Sequence, residues 1–319
     1  MPPKLGSSRH SVPPHIVLTA VIVAAMLIIV PIMFLQVRSV ERSDNFTVPM
    51  EDGVTDIKLR VLASLGTVEV GFAELDGEAV KVAAFVNGTS GLFGNDDPLK
   101  ANVTYGIDPI SGGMNVTVRF DVYAPRPYYS LDDARCNVLI DKSLAADINI
   151  TVATGGAVVR TTEGSVITGL RIDATSLGSV VALNNGTVLS GDVRIRTATG
   201  GNSFYWNNLT VNGSRLIEVE ESSGEMLLRL SQVGGMGGSV TIHGLDHGGL
   251  ISADLRLSGD VSASLAATSS LREVELNCSD GFRHQDGGLA SNNHPAASSF
   301  DIRLNSTMGS IEARCRWAP

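Results

Sequence analysis

The densest run of chemically capable side chains in this 319-residue chain is His243-Gly244-Leu245-Asp246-His247. Imidazole and carboxylate are ligands of zinc and related metals, and a helix would bring such an H-x-x-D-H string onto one face. Glycines at 248 and 249 follow at once and argue against a helix, so a solvated turn is the preferred reading. No metal or other cofactor is expected. Asp96-Asp97 and Asp132-Asp133 are the acid pairs that a carbohydrate-active enzyme on a β-helix would need, although loop carboxylates are ordinarily solvated. Tyr128, Tyr129, Tyr205 and Trp206 would offer stacking faces to sugars if exposed, and core or cap packing if not. His284 and His294 lie in loop-like text and read as surface residues. The chain has no G-x-S-x-G elbow, Walker A loop or dinucleotide fingerprint, and GGMGGS at 234–239 lacks the lysine and the strand-to-helix context.

Cys136, Cys278 and Cys315 are too scattered for a metal knuckle or a disulfide scaffold. A bond between Cys278 and Cys315 would close a loop of about 37 residues, worth roughly 3 to 4 kcal/mol. Three separate buried thiols are the other reading. The net charge is -9, and beyond residue 44 the chain holds 20 basic against 31 acidic residues. That balance repels phosphate backbones, so nucleic acid is not an expected partner.

Residues 16–35, IVLTAVIVAAMLIIVPIMFL, are twenty residues without a charge, enough at 1.5 Å per residue to cross the roughly 30 Å hydrocarbon layer. The run is longer than a signal-peptide core and is not followed by a small-x-small site, so a retained signal anchor contacting membrane lipid is expected. Flanking basic residues do not decide its orientation. Asparagines do: of 17, ten open an N-x-[ST] triplet, namely Asn45, Asn87, Asn102, Asn115, Asn149, Asn185, Asn208, Asn212, Asn277 and Asn305. With Ser and Thr at about one residue in six, chance gives roughly three. β-turn grammar accounts for some of them, and glycosylation of an extracellular surface accounts for the excess. The expected organisation is a cytoplasmic tail at 1–14, a transmembrane anchor at 15–37, a stalk at 38–50 and an extracellular domain at 51–319.

Some architecture must position all these residues. Aromatics are 5% of the chain while Gly numbers 34, a composition that suits short β rungs filled by Val, Leu, Ile and Ala. From 143 to 276 the text breaks into short β-type cores, each followed by a turn rich in Gly, Ser, Asn or Asp. Turn glycines stand at 200, 213, 224, 235, 248 and 259, in nearly even steps. Leu189-Ser190-Gly191-Asp192-Val193 recurs further on as Leu257-Ser258-Gly259-Asp260-Val261. Identical corners near a whole number of steps are what stacked coils require, with Gly191 and Gly259 free to take positive φ and Asp192 and Asp260 beside them. An all-β, β-helix-like solenoid is therefore expected, with a β-sandwich as the alternative. Residues 51–142 and 277–319 are the expected N- and C-terminal caps, flanking the rungs at 143–276.

The lines TVEVGF at 67–72, VRFDVYAP at 118–125, INITVATGGAVV, LSGDVRIRT and LSGDVSASL resemble the adhesin domain family of cell-envelope β-solenoid proteins, over about residues 67–265. That resemblance implies short Val/Ile strands joined by SGD-type turns and supplies no catalytic residues. The expected function is an anchored, N-glycosylated surface protein with an adhesive, structural or recognition role. A surface polysaccharide or a protein is its expected partner, and a carbohydrate-active enzyme is the alternative.

Overall fold

A computed structural model of the protein describes residues 14–35, 38–91, 97–123, 129–279, 281–285, 288–294 and 296–317. One helix, α1 (Pro14–Leu35), precedes an all-β chain. The side chains of residues 14, 15, 17 and 31–35 lie outside the described set, and among the described residues no helix is long and apolar enough to cross a membrane. The anchor read at 16–35 therefore rests on the sequence.

The first strands are β1 (Arg38–Pro49), β2 (Asp56–Ala63), β3 (Gly66–Ala73), β4 (Glu78–Ser90), β5 (Leu99–Ile107), β6 (Met114–Val122) and β7 (Tyr129–Asp141). The middle of the chain forms β8 (Ala145–Val152), β9 (Gly155–Arg160), β10 (Val166–Ala174), β11 (Ser179–Leu183), β12 (Val188–Leu189), β13 (Val193–Asn207), β14 (Thr210–Val211), β15 (Gly213–Gln232), β16 (Gly238–Asp246) and β17 (Leu250–Leu257). The last strands are β18 (Val261–Ser269), β19 (Val274–Cys278), β20 (Phe282–Gln285), β21 (Gly288–Ser291), β22 (Ser298–Ser306) and β23 (Ile311–Trp317). All belong to one mixed 23-stranded sheet.

Two long ladders run through that sheet, and a short third one joins the start of β10 to β12 and β14. The first orders its strands β5, β6, β2, β8, β10, the start of β13, the start of β15, β16, β22, β18, β21 and β20. The second orders β1, β4, β7, β3, β9, β11, the end of β13, the end of β15, β17, β23 and β19. From β8 to β17 every pairing is parallel. In the first ladder Asn149 lies opposite Arg171, then Arg194, Glu218 and His243, in nearly equal steps along the chain. The second ladder advances identically through Ala157, Ser179, Asn202, Met226 and Ile251. The interval between turn glycines is thus half a repeat, because the chain crosses both ladders before it returns.

Alternation along each strand sends apolar side chains inward. Val193, Ile195 and Thr197 are buried, with Arg194 and Arg196 outside; Leu255 and Leu257 are buried, with Arg256 outside. One core cluster runs from Val48 to Cys315 and is mainly aliphatic. Its largest members include Trp206 and Phe300, which meet edge to face at 5.3 Å between centroids.

Three expectations change. Residues 38–50 are no stalk: β1 pairs antiparallel with β4 because Val40 and Val48 are buried and Phe46 packs on the core. The C-terminal segment is not simply a cap, since β22 inserts between β16 and β18, and β23 between β17 and β19. Phe300, Ile302 and Leu304 of β22 are each fully buried, and an internal place covers such bulky residues on both sides. At the other end β2 and β3 likewise sit between β6/β7 and β8/β9.

The third change concerns the twin LSGDV corners, which are not equivalent. Val193 lies beside Ile217, then Ile242, Ile302 and Leu265, so its counterpart is Leu265, four residues beyond Val261. Neither Gly191 nor Gly259 has a positive φ. Gly191 is needed for close approach, because a Cβ there would lie 1.7 Å from the Thr168 carbonyl oxygen, and Asp192 Oδ1 accepts the Leu216 amide at 2.9 Å. Around Gly259 the nearest atom to such a Cβ is 4.0 Å away, on Trp317, and Asp260 is exposed.

Candidate functional site

Outward side chains of neighbouring parallel strands form straight columns about 4.8 Å apart. On the second ladder one column reads Ala182, Tyr205, Arg229, Asp254 and Arg314, and the next reads Asn207, Ser231, Arg256 and Arg316. A cavity of about 450 Å³ opens among Tyr205, Asn207, Arg229, Ser231, Asp254 and Arg256. The Arg229 guanidinium lies over the Tyr205 ring, 5.9 Å from its centroid, an arrangement that holds both planar groups in place. Asp254 Oδ1 is buried with no hydrogen-bond partner among the described residues. Further along the same face, Arg314 and Arg316 line a second cavity of about 470 Å³ with Asn277 and Ser279.

Ion pairs occur on both ladders: on the second Arg135 pairs with Asp133 at 2.8 Å and Arg160 with Glu69 at 3.9 Å. On the first ladder Arg171 pairs with Asp173 at 2.8 Å, Arg194 with Glu218 at 3.3 Å, Arg196 with Glu220 at 2.8 Å and Arg303 with Asp301 at 3.1 Å. No such pair forms for Arg229, Arg256, Arg314 or Arg316 among the described residues. These outward positions place four arginines free of ion pairs around the unpartnered Asp254 Oδ1.

That string is taken apart by strand alternation. His243 lies outward beside Glu218 and Arg303. Asp246 turns inward, 1% exposed, where it accepts the Gly248 and Gly249 amides at 3.1 and 2.6 Å. His247 is exposed, with Nδ1 3.4 Å from Thr307 Oγ1. Among the described residues no group of three or more candidate ligands could hold a metal. His284 Nε2 lies 3.9 Å from Cys278 Sγ, and His294 Nδ1 lies 3.3 Å from Ser262 Oγ.

Asp132 is exposed where β7 loses register with β4, and the Asp133 carboxylate is taken by Arg135 at 2.8 Å. Asp97 is exposed, 3.9 Å from Arg42, while Asp96 lies outside the described residues, as do Tyr128 and the side chain of Tyr129. Tyr205 is half-buried and borders the cavity, where a ligand could reach its ring. Trp206 is 1% exposed and donates from Nε1 to Gln232 Oε1 at 2.7 Å, so it is a core residue.

Cys136, Cys278 and Cys315 are free thiols. Cys278 and Cys315 are register partners on β19 and β23 and carry no bond between them. Burial pushes the Cys136 and Cys315 thiols up to about 12.

Sequence reasoning missed a carboxyl, Glu221, buried in the corner between the ladders with Oε1 unpartnered. Its Oε2 accepts the Asn202 amide at 3.2 Å. Burial first, then the Asp246 and Glu225 carboxylates, pushes Glu221 up to about 7, against the Asn202 hydrogen bond. A lone Glu at an inward position of the alternation was the available signal.

None of the ten sequon asparagines is buried: Asn45, Asn102, Asn115, Asn185, Asn212, Asn277 and Asn305 are exposed, and Asn87, Asn149 and Asn208 are half-buried. Asn208 also has a structural task. It sits at φ 48 and its Oδ1 accepts the Val233 amide at 2.7 Å, tying one repeat to the next. Asn208→Ala, in protein made without glycans, is expected to cost about 1 to 2 kcal/mol in urea unfolding; no change would remove that tie. Asn185 and Asn208 stand at the margin of the arginine face, and Asn277 lies on it, opposite Arg314 on the neighbouring strand.

No family profile matches the chain, and no curated protein matches it in sequence. Its fold is similar to a candidate cell adhesion protein of Clostridium sporogenes, with a TM-score of 0.41 and 12% identity over 86% of this chain and 99% of that one. A candidate adhesin of Bacteroides fragilis gives 0.34 and 8% over 86% and 97%. One of Parabacteroides distasonis gives 0.30 and 11% over 86% and 96%.

Proposed function

We propose that this protein is a membrane-anchored, N-glycosylated surface module that binds its partner through the outer face of the second ladder. In this reading the two ladders are opposite walls of a β-solenoid, the residues of α1 hold the coil to the membrane, and the domain stands outside the cell. The parallel, in-register advance of both ladders by the same interval supports the coil, since hairpins of a sandwich pair antiparallel. The charge-free run at 16–35 supports the anchor, and ten accessible sequons support the address.

The arginine-lined cleft carries the binding role. An acidic protein has gathered four arginines that form no ion pair among the described residues on the adjacent strands β15, β17 and β23 of one face. Nothing in the core requires this.

The address is tested on protein isolated from its own cells, weighed before and after enzymatic removal of N-glycans, with intact cells treated by protease. A mass above 33.5 kDa that falls on deglycosylation, and cleavage of the β domain on intact cells, are expected. An unmodified, fully protected chain would end this reading.

A further inference from the structure

We infer that the face bearing Tyr205, Arg229, Asp254, Arg256, Arg314 and Arg316 binds an acidic polysaccharide laid across the strands, its anionic groups on the arginines and its hydroxyls on Asp254. This rests on the recognition role proposed above and names the ligand class. Arg256 and Arg316 are direct register partners, while Arg229 and Arg314 flank Asp254 two strands apart, so cationic heads recur over about 10 Å along the ladder. Guanidinium matches a carboxylate or sulfate with two parallel hydrogen bonds.

Asp254 favours a ligand that carries hydroxyl donors between its anionic groups. It sits between Arg229 and Arg314 in the column, and its Oδ1 lacks a donor. A DNA strand would set phosphates against it and has no free sugar hydroxyl along its backbone to offer. A sugar polymer presents hydroxyl donors on every residue. Tyr205 beneath Arg229 offers a ring at the end of the cleft, and Asn207 and Ser231 offer amide and hydroxyl groups.

The test uses the full chain in detergent, titrated with polyuronate, dextran sulfate, neutral dextran, single-stranded DNA and anionic phospholipid vesicles. Binding to polyuronate or dextran sulfate that weakens with salt, and that falls at least tenfold in the double variant Arg256→Gln/Arg316→Gln with an unchanged Tm, is expected; the two polymers separate carboxylate from sulfate. Asp254→Asn is expected to weaken the acidic glycan and to strengthen DNA. If Asp254→Asn strengthens every polyanion alike, or if vesicles or DNA bind and glycans do not, the inference falls. Neutral dextran bound equally by wild type and arginine variant would overturn the acidic ligand and keep the recognition face. No glycan bound by a chain that passes the mass and protease test would overturn the inference and keep the surface address.

Discussion

Gly224→Ala is expected to lower the unfolding free energy by about 3 to 5 kcal/mol. Gly224 belongs to a stack of glycines where the chain passes from the first ladder to the second. A Cβ at Gly155 would lie 1.8 Å from Gly66 O, at Gly178 1.9 Å from Gly201 O, at Gly224 1.5 Å from Gly200 O, at Gly249 1.4 Å from Gly224 O and at Gly309 1.5 Å from Gly249 O. These neighbours are backbone, and backbone one repeat away cannot swing aside; the repeats must separate, which breaks ladder hydrogen bonds at their roughly 4.8 Å spacing. Gly224 also sits at φ +152, where side chains are strained, and its Cβ would lie 1.9 Å from Glu221 Oε1. Gly234→Ala is the control. Its φ is +93 with nothing within 4 Å, so about 1 kcal/mol is expected. Urea unfolding of the two variants compares them directly, and equal losses would remove the stacked corner from this account.

Glu221→Gln is expected to raise stability above neutral pH by roughly 3 kcal/mol and to leave it nearly unchanged near pH 4. The folded carboxyl sits at about 7 against an ordinary 4.5, so the folded state holds the proton more tightly than the unfolded one. The penalty is absent below about 4.5, grows as pH rises towards 7 and is complete above it. Burial is the main cause; Asp246 and Glu225 add repulsion, and the Asn202 amide opposes it. Glutamine keeps the shape and cannot ionise. Thermal unfolding of both proteins from pH 4 to 8 should give curves that diverge between about 5 and 7, and parallel curves would place the Glu221 carboxyl in water.

The alternation of Val193, Arg194, Ile195 and Arg196 was legible because it depends only on the pleat, which sends neighbours to opposite faces. The interval of the turns was legible too, yet its meaning was halved, since a line of text does not say how many faces the chain visits before it returns. LSGDV misled for a related reason. Five residues can repeat by local turn chemistry alone, and here the second copy falls four residues out of register with the first. The stacked glycines at 155, 178, 200, 224 and 249 mark the true period, and in the text Gly200 and Gly224 are interleaved with other turn glycines that belong to no such stack.

The arginine face shows the deeper division. Arg229, Asp254 and Arg256 belong to two successive repeats of one column pair, and laying the lines out at the full repeat would have joined them. Arg314 and Arg316 enter only because β23 slips between β17 and β19, so that the register jumps from Ile251 to the distant Ile311. The sequence alone determined what depends on near neighbours: which residues face inward, where turns fall, the uncharged run at 16–35 and the ten sequons. Only the tertiary structure decided which repeats are neighbours, and with that which outward side chains share a cleft and which carboxyl is buried. The reason is physical. Pleat and turn energies act over a few residues, whereas the order of strands in a ladder follows from burying the largest inward side chains, Phe300 against Trp206 among them, over separations that no local pattern records.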